Sequence, residues 1–278
     1  MPATHRGVTL VRRIVTLLTD FGTSDGYVGQ MKGAILQRSG DCQLVDITHE
    51  IPPQNVGLAA RALGSSWKHF PVGTVHLAVV DPGVGTDRDI LAATVAGHFF
   101  VAPNNGLLSA IIEARPADEA DRRIISVDVD RFFDSPTSNT FHGRDIMGPV
   151  AGMLAAGVPI AQLGEPFTGQ LIELPSLVVG VDAEGVRTEV AAIDHFGNCS
   201  LATTFEFESW FATKRRVRAQ LPSSTESVYL EVCRTYGQQP AGANVLLTGS
   251  QGEIEIAVVN GNAAEKFQLS VGDSVTLA

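Results

Sequence analysis

The sequence predicts an α/β N-terminal domain with a mostly parallel sheet, followed by an all-β, barrel-like C-terminal domain. Between residues 14 and 160, short apolar runs rich in β-branched residues alternate with stretches of helical spacing. That is the pattern of strand–helix–strand units. After residue 165 the helical spacing fades, and short strand-like runs follow one another between Gly, Pro and Asn turns. Hydrophobic residues make up 44% of the 278, enough to fill a sizeable core and to exclude a wholly disordered chain.

The elements follow in order. IVTLLT (14–19) reads as a buried strand ending at the turn Asp20-Phe21-Gly22, and YVGQMKGAILQR (27–38) as a helix. QLVDIT (43–48) is a second strand closed by a Pro-Pro break, and 55–66 a second helix. TVHLAVVD (74–81) is a third buried strand ending in Pro82-Gly83. Residues 90–103 read as a strand pair, 107–114 as a short helix and 144–157 as a longer one ended by Gly157 and Pro159. EPFTGQLIELPSL is Pro-punctuated and reads as a linker. Beyond it lie strand candidates at LVVGVD, RTEVAAID, RRVRAQL, SVYLEVC, NVLLTG, EIEIAVVN and SVTLA. The expected limits are an extension over 1–13, an α/β domain over 14–168, a linker over 169–177 and a β domain over 178–278.

The charge balance, 20 Lys+Arg against 30 Asp+Glu, gives −10 and includes no basic block. Nucleic acid and anionic membranes are therefore poor partners. No run of 18 apolar residues is present, so no transmembrane helix is expected, and the opening MPATHRGVTLVRR lacks the apolar stretch of a signal peptide. Cys42, Cys199 and Cys233 are odd in number, widely spaced and outside any CxxC, which reads as reduced thiols in a cytoplasmic protein. The seven His never fall in HxH, HxxxH or HExxH spacing, so no metal site is expected. Neither a GK[ST] phosphate loop nor a GxGxxG fingerprint occurs.

In an open α/β sheet, ligands bind beyond the carboxyl ends of the strands. Asp20 and Asp81 both fall at that edge. Asp20 suits either a turn cap or the two hydroxyls of a ribose. Asp25 suits a cap on the 27–38 helix or a ligand ammonium. The loop DPGVGTDR (81–88) places Asp81 and Arg88 on one short excursion, where they can pair, either as a structural pin or as part of a site. His142, between Phe141 and Gly143, stands in a loop with no apolar face to serve. DHFGN (194–198), SQG (250–252) and NGNAA (260–264) read as turns of the β domain.

Seven segments carry a more specific signal: TDFGTSDGYVGQMKGAI (19–35), DITHEIPPQNV (46–56), VDPGVGTDRD (80–89), VAPNNGLLS (101–109), TFHGRDIMGPVA (140–151), IDHFGN (193–198) and SQGEIEIAVVNGNAA (250–264). In this order they resemble the S-adenosylmethionine (SAM) hydroxide adenosyltransferase family, relatives of the fluorinase and chlorinase enzymes. The resemblance runs from about residue 14 to the end. It implies a homotrimer whose substrate lies between the N-terminal domain of one subunit and the C-terminal domain of the next. It further implies that Asp20 holds the ribose hydroxyls, that Asp25 and Asp194 hold the methionine ammonium, and that Ser250 with Gln251 holds its carboxylate. Phe196 would stack on adenine and Asn198 would hydrogen-bond it, with the backbone of Val259, Asn260 and Ala263 reading its edge. Tyr27, Thr140 and Phe141 would complete the substrate wall.

Asp81, Arg88 and His142 match the set that marks the hydroxide-using branch. Fluorinase has tyrosine where Asp81 stands, threonine at Val84, serine at Gly143 and arginine at Gln251. Val84 and Gly143 offer no side-chain hydroxyl to replace the hydration shell of a halide. The expected reaction is hydrolysis of SAM to adenosine and L-methionine by in-line attack of water at C5′ of the ribose, with no cofactor. The alternatives are a chloride-using halogenase and a non-catalytic sensor of adenosine or SAM.

Overall fold

A computed structural model describes residues 13–113, 122–132, 138–222 and 226–278. The expected N-terminal extension, apart from Arg13, lies outside the described residues. The chain forms two compact units, Met1–Leu174 and Pro175–Ala278.

The first unit runs β1 (Ile14–Thr19), α1 (Tyr27–Arg38), β2 (Gln43–Thr48), α2 (Val56–Ser66), β3 (Val75–Val79), β4 (Ile90–Val95), β5 (His98–Pro103), α3 (Ser109–Glu113), β6 (Arg123–Val127), α4 (Val129–Phe132), α5 (Gly148–Ala155) and β7 (Gly164–Pro166). The sheet order is β2-β1-β3-β5-β4-β6-β7. β2, β1, β3 and β5 run parallel. From β5 outward the pairings are antiparallel, because β4 and β5 form a hairpin and β6 and β7 extend it.

Both faces of the parallel half are covered, and the side-chain period of two splits the core accordingly. Leu17 and Leu77 join Met31 and Ile35 of α1 and Val150 of α5 on one face. Leu18 and Ala78 join Ala59 and Leu63 of α2 on the other. α1 and α5 approach closely because Gly152 has no side chain: a Cβ there would stand 2.6 Å from the Ile35 carbonyl. α2 starts where Asn55 Oδ1 accepts from the Leu58 amide at 2.9 Å, a side-chain N-cap.

The helix expected over 144–157 differs at its start. Residues Gly143–Met147 form a π turn, in which the Gly148 amide donates to the Gly143 carbonyl. Gly148 fits this turn because a Cβ there would lie 2.9 Å from that carbonyl. Such turns are frequent at functional sites, and this one follows His142 directly.

The second unit contains β8 (Gly180–Val181), β9 (Val186–Ile193), β10 (Cys199–Leu201), α6 (Phe205–Phe211), β11 (Arg216–Gln220), β12 (Val228–Val232), β13 (Asn244–Thr248), β14 (Ile254–Val258), α7 (Ala263–Phe267) and β15 (Ser274–Leu277). The order β10-β14-β13-β12-β11-β15-β9 closes through a β9–β10 pairing, giving a barrel of seven strands with β8 appended to β9. Inward residues such as Val190, Leu230, Leu246 and Ile256 fill it. Cys42, Cys199 and Cys233 are free thiols.

Candidate active site

The strand order positions a first group of candidate residues. β1 is followed through α1 by β2 on one side, and β2 through α2 by β3 on the other. The chain therefore reverses direction across the sheet between β1 and β3, the topological switch point where such sheets bind ligands. Asp20 follows β1 and Asp81 follows β3 at that edge.

Asp81 and Arg88 pair inside the expected loop. Arg88 Nε donates to Asp81 Oδ1 at 2.6 Å, and Nη2 donates to Oδ2. The two side chains are nearly buried, 9% and 5% exposed. Arg88 Nη2 also reaches His142 Nδ1 at 3.1 Å. Gly85 makes this juxtaposition possible. Its φ is +80°, and a Cβ there would stand 2.5 Å from the Asn139 carbonyl. Only glycine lets the 81–88 loop lie this close to the turn that leads into His142.

The chemistry fixes the His142 tautomer. A guanidinium only donates, so Nδ1 must accept and a neutral ring carries its proton on Nε2. Burial pushes the His142 pKa below its ordinary 6.5, and the Arg88 charge pushes it the same way, against weaker pulls from Asp81 and Asp145. His142 is thus a neutral ring at pH 7 that offers an N–H.

Beside this set lies a cavity of about 400 Å³ lined by Phe21, Tyr27, Ser138, Thr140, Phe141 and Arg144. Phe21, Tyr27 and Phe141 meet edge to face, with centroids 5.2–6.3 Å apart. Arg144 lies 5.0 Å over the Phe141 ring and is forked onto Asp145 at 2.5 and 2.9 Å. That fork, and the Ser138 amide at 2.8 Å, hold the Asp145 carboxyl below the usual carboxylate range. Asp20 Oδ2 accepts the Gln54 amide at 2.8 Å, and Gln54 sits at φ 65°, so the loop after the Pro-Pro break is turned to meet Asp20. Asp25 is exposed just before α1.

A second group of candidate residues lies on the barrel. Asp194 closes the 194–198 turn: Oδ1 accepts the Phe196 and Asn198 amides at 2.9 and 2.8 Å, and Oδ2 accepts Asn198 Nδ2 at 2.9 Å. Gly197, φ +83°, abuts Asn262, and its carbonyl accepts the Ala264 amide at 3.0 Å. The 194–198 and 260–264 turns are thereby knitted together around a cavity of about 950 Å³. Asp194, Phe196, Asn198, Ser250 and Asn260 line it. Gln251 does not, and Val259 and Ala263 are buried with their side chains in the core. Arg234, Tyr236 and Glu255 line it as well. Arg234 and Tyr236 lie outside every segment singled out in the sequence, and Glu255, inside the 250–264 segment, has no role assigned to it there.

The N-terminal unit matches the SAM hydroxide adenosyltransferase N-terminal domain over residues 15–164, and the second unit matches the corresponding C-terminal domain over 188–276. The chain belongs to the SAM hydroxide adenosyltransferase family. Among its relatives, a Thermus thermophilus protein named (R)-S-adenosyl-L-methionine hydrolase is 36% identical, covering 95% of this chain and 99% of its own length. One of the same name from Salinispora arenicola is 34% identical over 94% and 96%. The fluorinase of Actinopolyspora mzabensis is 29% identical over only 67% of this chain and 70% of its own. A crystal structure of an uncharacterized conserved protein from Thermotoga maritima superposes with a TM-score of 0.86, at 32% identity over 95% and 99% of the two chains. Among the described residues no helix is long and apolar enough to cross a membrane, and no cluster of His, Cys, Asp and Glu is suited to a metal.

Proposed function

We propose that this member of the SAM hydroxide adenosyltransferase family hydrolyses SAM to adenosine and L-methionine in the cytoplasm. The C5′–S bond breaks as an O–C5′ bond forms, and the proton lost by the attacking water passes to solvent, which balances the positive charge lost from the sulfonium. Methionine leaves as a neutral thioether, so its departure needs no acid. The difficulty lies with the nucleophile, since bulk water has a pKa of about 15.7.

The observation that carries this reading is the Asp81–Arg88–His142 chain at the switch point. Asp81 accepts two Arg88 bonds and fixes the guanidinium. The fixed cation and the His142 Nε2–H then converge on a water, where positive charge and an N–H donor stabilise developing hydroxide. With Nδ1 engaged by Arg88, the neutral ring acts as a donor that holds the water. Oriented attack of this kind contributes roughly 7–11 kcal/mol.

Around this centre Asp20 takes the ribose diol, and Tyr27, Thr140 and Phe141 wall the reacting carbon. On the barrel, Phe196 stacks on adenine, Asn198 bonds its edge, and the 259–263 backbone closes over it. Asp25 and Asp194 hold the ammonium. Ser250 holds the carboxylate, and Arg234, the cation lining that cavity, supports this in place of Gln251. The two halves are completed across subunits of a homotrimer. That reading is supported by Phe196 of the barrel and Tyr27 of the α/β unit standing 72% and 49% exposed in the single chain.

Incubating the purified protein with SAM, with and without chloride, and identifying products by mass tests this. Adenosine and methionine in both buffers are expected. A 5′-chlorinated nucleoside formed only with chloride would replace hydrolysis by halogenation, and retained ligand without turnover would make the protein a sensor.

A further inference from the structure

The barrel half-site contains a polar chain that the reaction chemistry above does not use. Tyr236 Oη donates to Glu255 Oε1. Asn198 Nδ2 approaches Tyr236 Oη at 3.4 Å and Asp194 Oδ2 at 2.9 Å. Glu255 is 8% exposed, and Asn198 is likewise 8% exposed. Glu255 stands in β14 paired with Leu247, and its carboxyl lies against Gly249, where a Cβ would fall 2.5 Å from Glu255 Oε2. A carboxylate buried in a barrel wall costs free energy unless it is bonded, so its retention here calls for a role.

Directionality supplies one. An ionised carboxylate only accepts. Glu255 therefore makes the Tyr236 hydroxyl donate to it, which leaves the phenol oxygen as an acceptor toward Asn198. Asp194 is an acceptor on the same amide. Both neighbours demand the nitrogen of the Asn198 amide, so its Oδ1 is the atom left to offer to the cavity. An oxygen there accepts a hydrogen bond from an exocyclic amine and repels a carbonyl.

We propose that Tyr236 and Glu255 are positioning residues that lock the Asn198 amide and make the barrel half-site select a 6-amino over a 6-oxo purine. This rests on the reading that the adenine sits against Asn198. A buried polar group matched to the correct ligand and left unpaired by the wrong one is the usual source of such discrimination.

The test is equilibrium binding of adenosine and of inosine by calorimetry, for the wild-type protein and for Tyr236→Phe and Glu255→Gln. The wild type is expected to bind adenosine about 10- to 100-fold more tightly than inosine. Tyr236→Phe removes one of the two acceptors on the amide. Glu255→Gln replaces an obligate acceptor by a group that can also donate, so the chain can reverse. Each is expected to lower the adenosine-to-inosine ratio several-fold. A purely structural role would weaken both nucleosides equally and leave the ratio unchanged, which would overturn the proposal. So would a wild-type ratio near one, whatever the folding of the variants. SAM hydrolysis by the wild type is assayed in parallel: turnover with no base preference sinks the amide lock alone, whereas base preference without turnover sinks the hydrolytic reading alone.

Discussion

In the proposed mechanism, His142 is where the charge state of one ring bears on the reaction. Its pKa lies below 6.5, because burial and the Arg88 guanidinium both disfavour the imidazolium. Protonation must place a hydrogen on Nδ1, the atom 3.1 Å from Arg88 Nη2, and set two cations against each other. The active form is thus the neutral one, present above the lowered pKa and lost as pH falls through it. A kcat profile from pH 5 to 8 is expected to lose activity only below about 6.5, with the midpoint removed in His142→Ala. A falling limb centred well above 6.5 would instead require a protonated ring. Gly85 tests the same geometry from the backbone. Ala at φ +80° costs about 1–2 kcal/mol and meets the Asn139 carbonyl. Gly85→Ala is therefore expected to lower kcat by at least about 10-fold while KM changes little, as steady-state kinetics beside a thermal melt would read. Asp81 and Arg88 stand out in the sequence through a strand end and a Gly/Pro loop, whereas His142 joins them as a set only through the family resemblance; the structure brings the three side chains together. Tyr236 and Glu255 do not stand out. Glu255 lies in an alternating EIEIAVV run that suggests a solvent-facing acid, and only barrel closure places it in the wall.

At the scale of elements, the three central strands β1, β3 and β5 share a buried polar ladder. Thr16 Oγ1 lies 2.8 Å from His76 Nδ1, and His76 Nε2 lies 3.1 Å from His98 Nδ1. The His76 ring stacks on Phe100 at 4.9 Å. Burial holds the His76 pKa down at about 3, and the His98 pKa is lowered as well. Between 6.5 and about 3 the unfolded chain binds a proton at His76 that the folded chain does not. Stability contributed by the neutral ring is therefore full above 6.5 and is lost as pH drops. At pH 4.5 the loss is on the order of 2–3 kcal/mol. Hydrogen exchange of the β1, β3 and β5 amides at pH 7 and 4.5, corrected for intrinsic rates, is expected to show it, with a shallower dependence in His76→Leu. An equal slope in the variant would assign the effect to other groups. These strands were legible because each is a continuous apolar run with a turn at its end. β6, β7, β10, α6 and α7 were not. β10 spans three residues and α7 five, too few for a period to register. The π turn was read as ordinary helix, because five-residue hydrogen bonding leaves the apolar spacing almost unchanged.

For the whole molecule, the proposed homotrimer makes a demand that a self-contained chain does not. A site assembled from the N-terminal unit of one subunit and the barrel of another can be repaired by mixing two different defects. His142→Ala removes the ring proposed to hold the water. Phe196→Ala removes a largely exposed ring that meets the His195 ring edge to face, and loss of base stacking is worth about 1–3 kcal/mol. Assayed alone at subsaturating SAM, the first is expected to be nearly inactive and the second reduced about 10- to 100-fold. Co-expressed chains that assort at random then place intact halves together at about a quarter of the sites. Activity of the mixture is expected to exceed that of either parent and to approach a quarter of the wild-type rate. If each chain carried its whole site, every site would keep one defect, and the mixture would stay at or below the Phe196→Ala level. Sedimentation of the same samples reports the assembly, so repair without a trimer would redirect the reading to another closed oligomer, and a trimer without repair would place both half-sites on one chain.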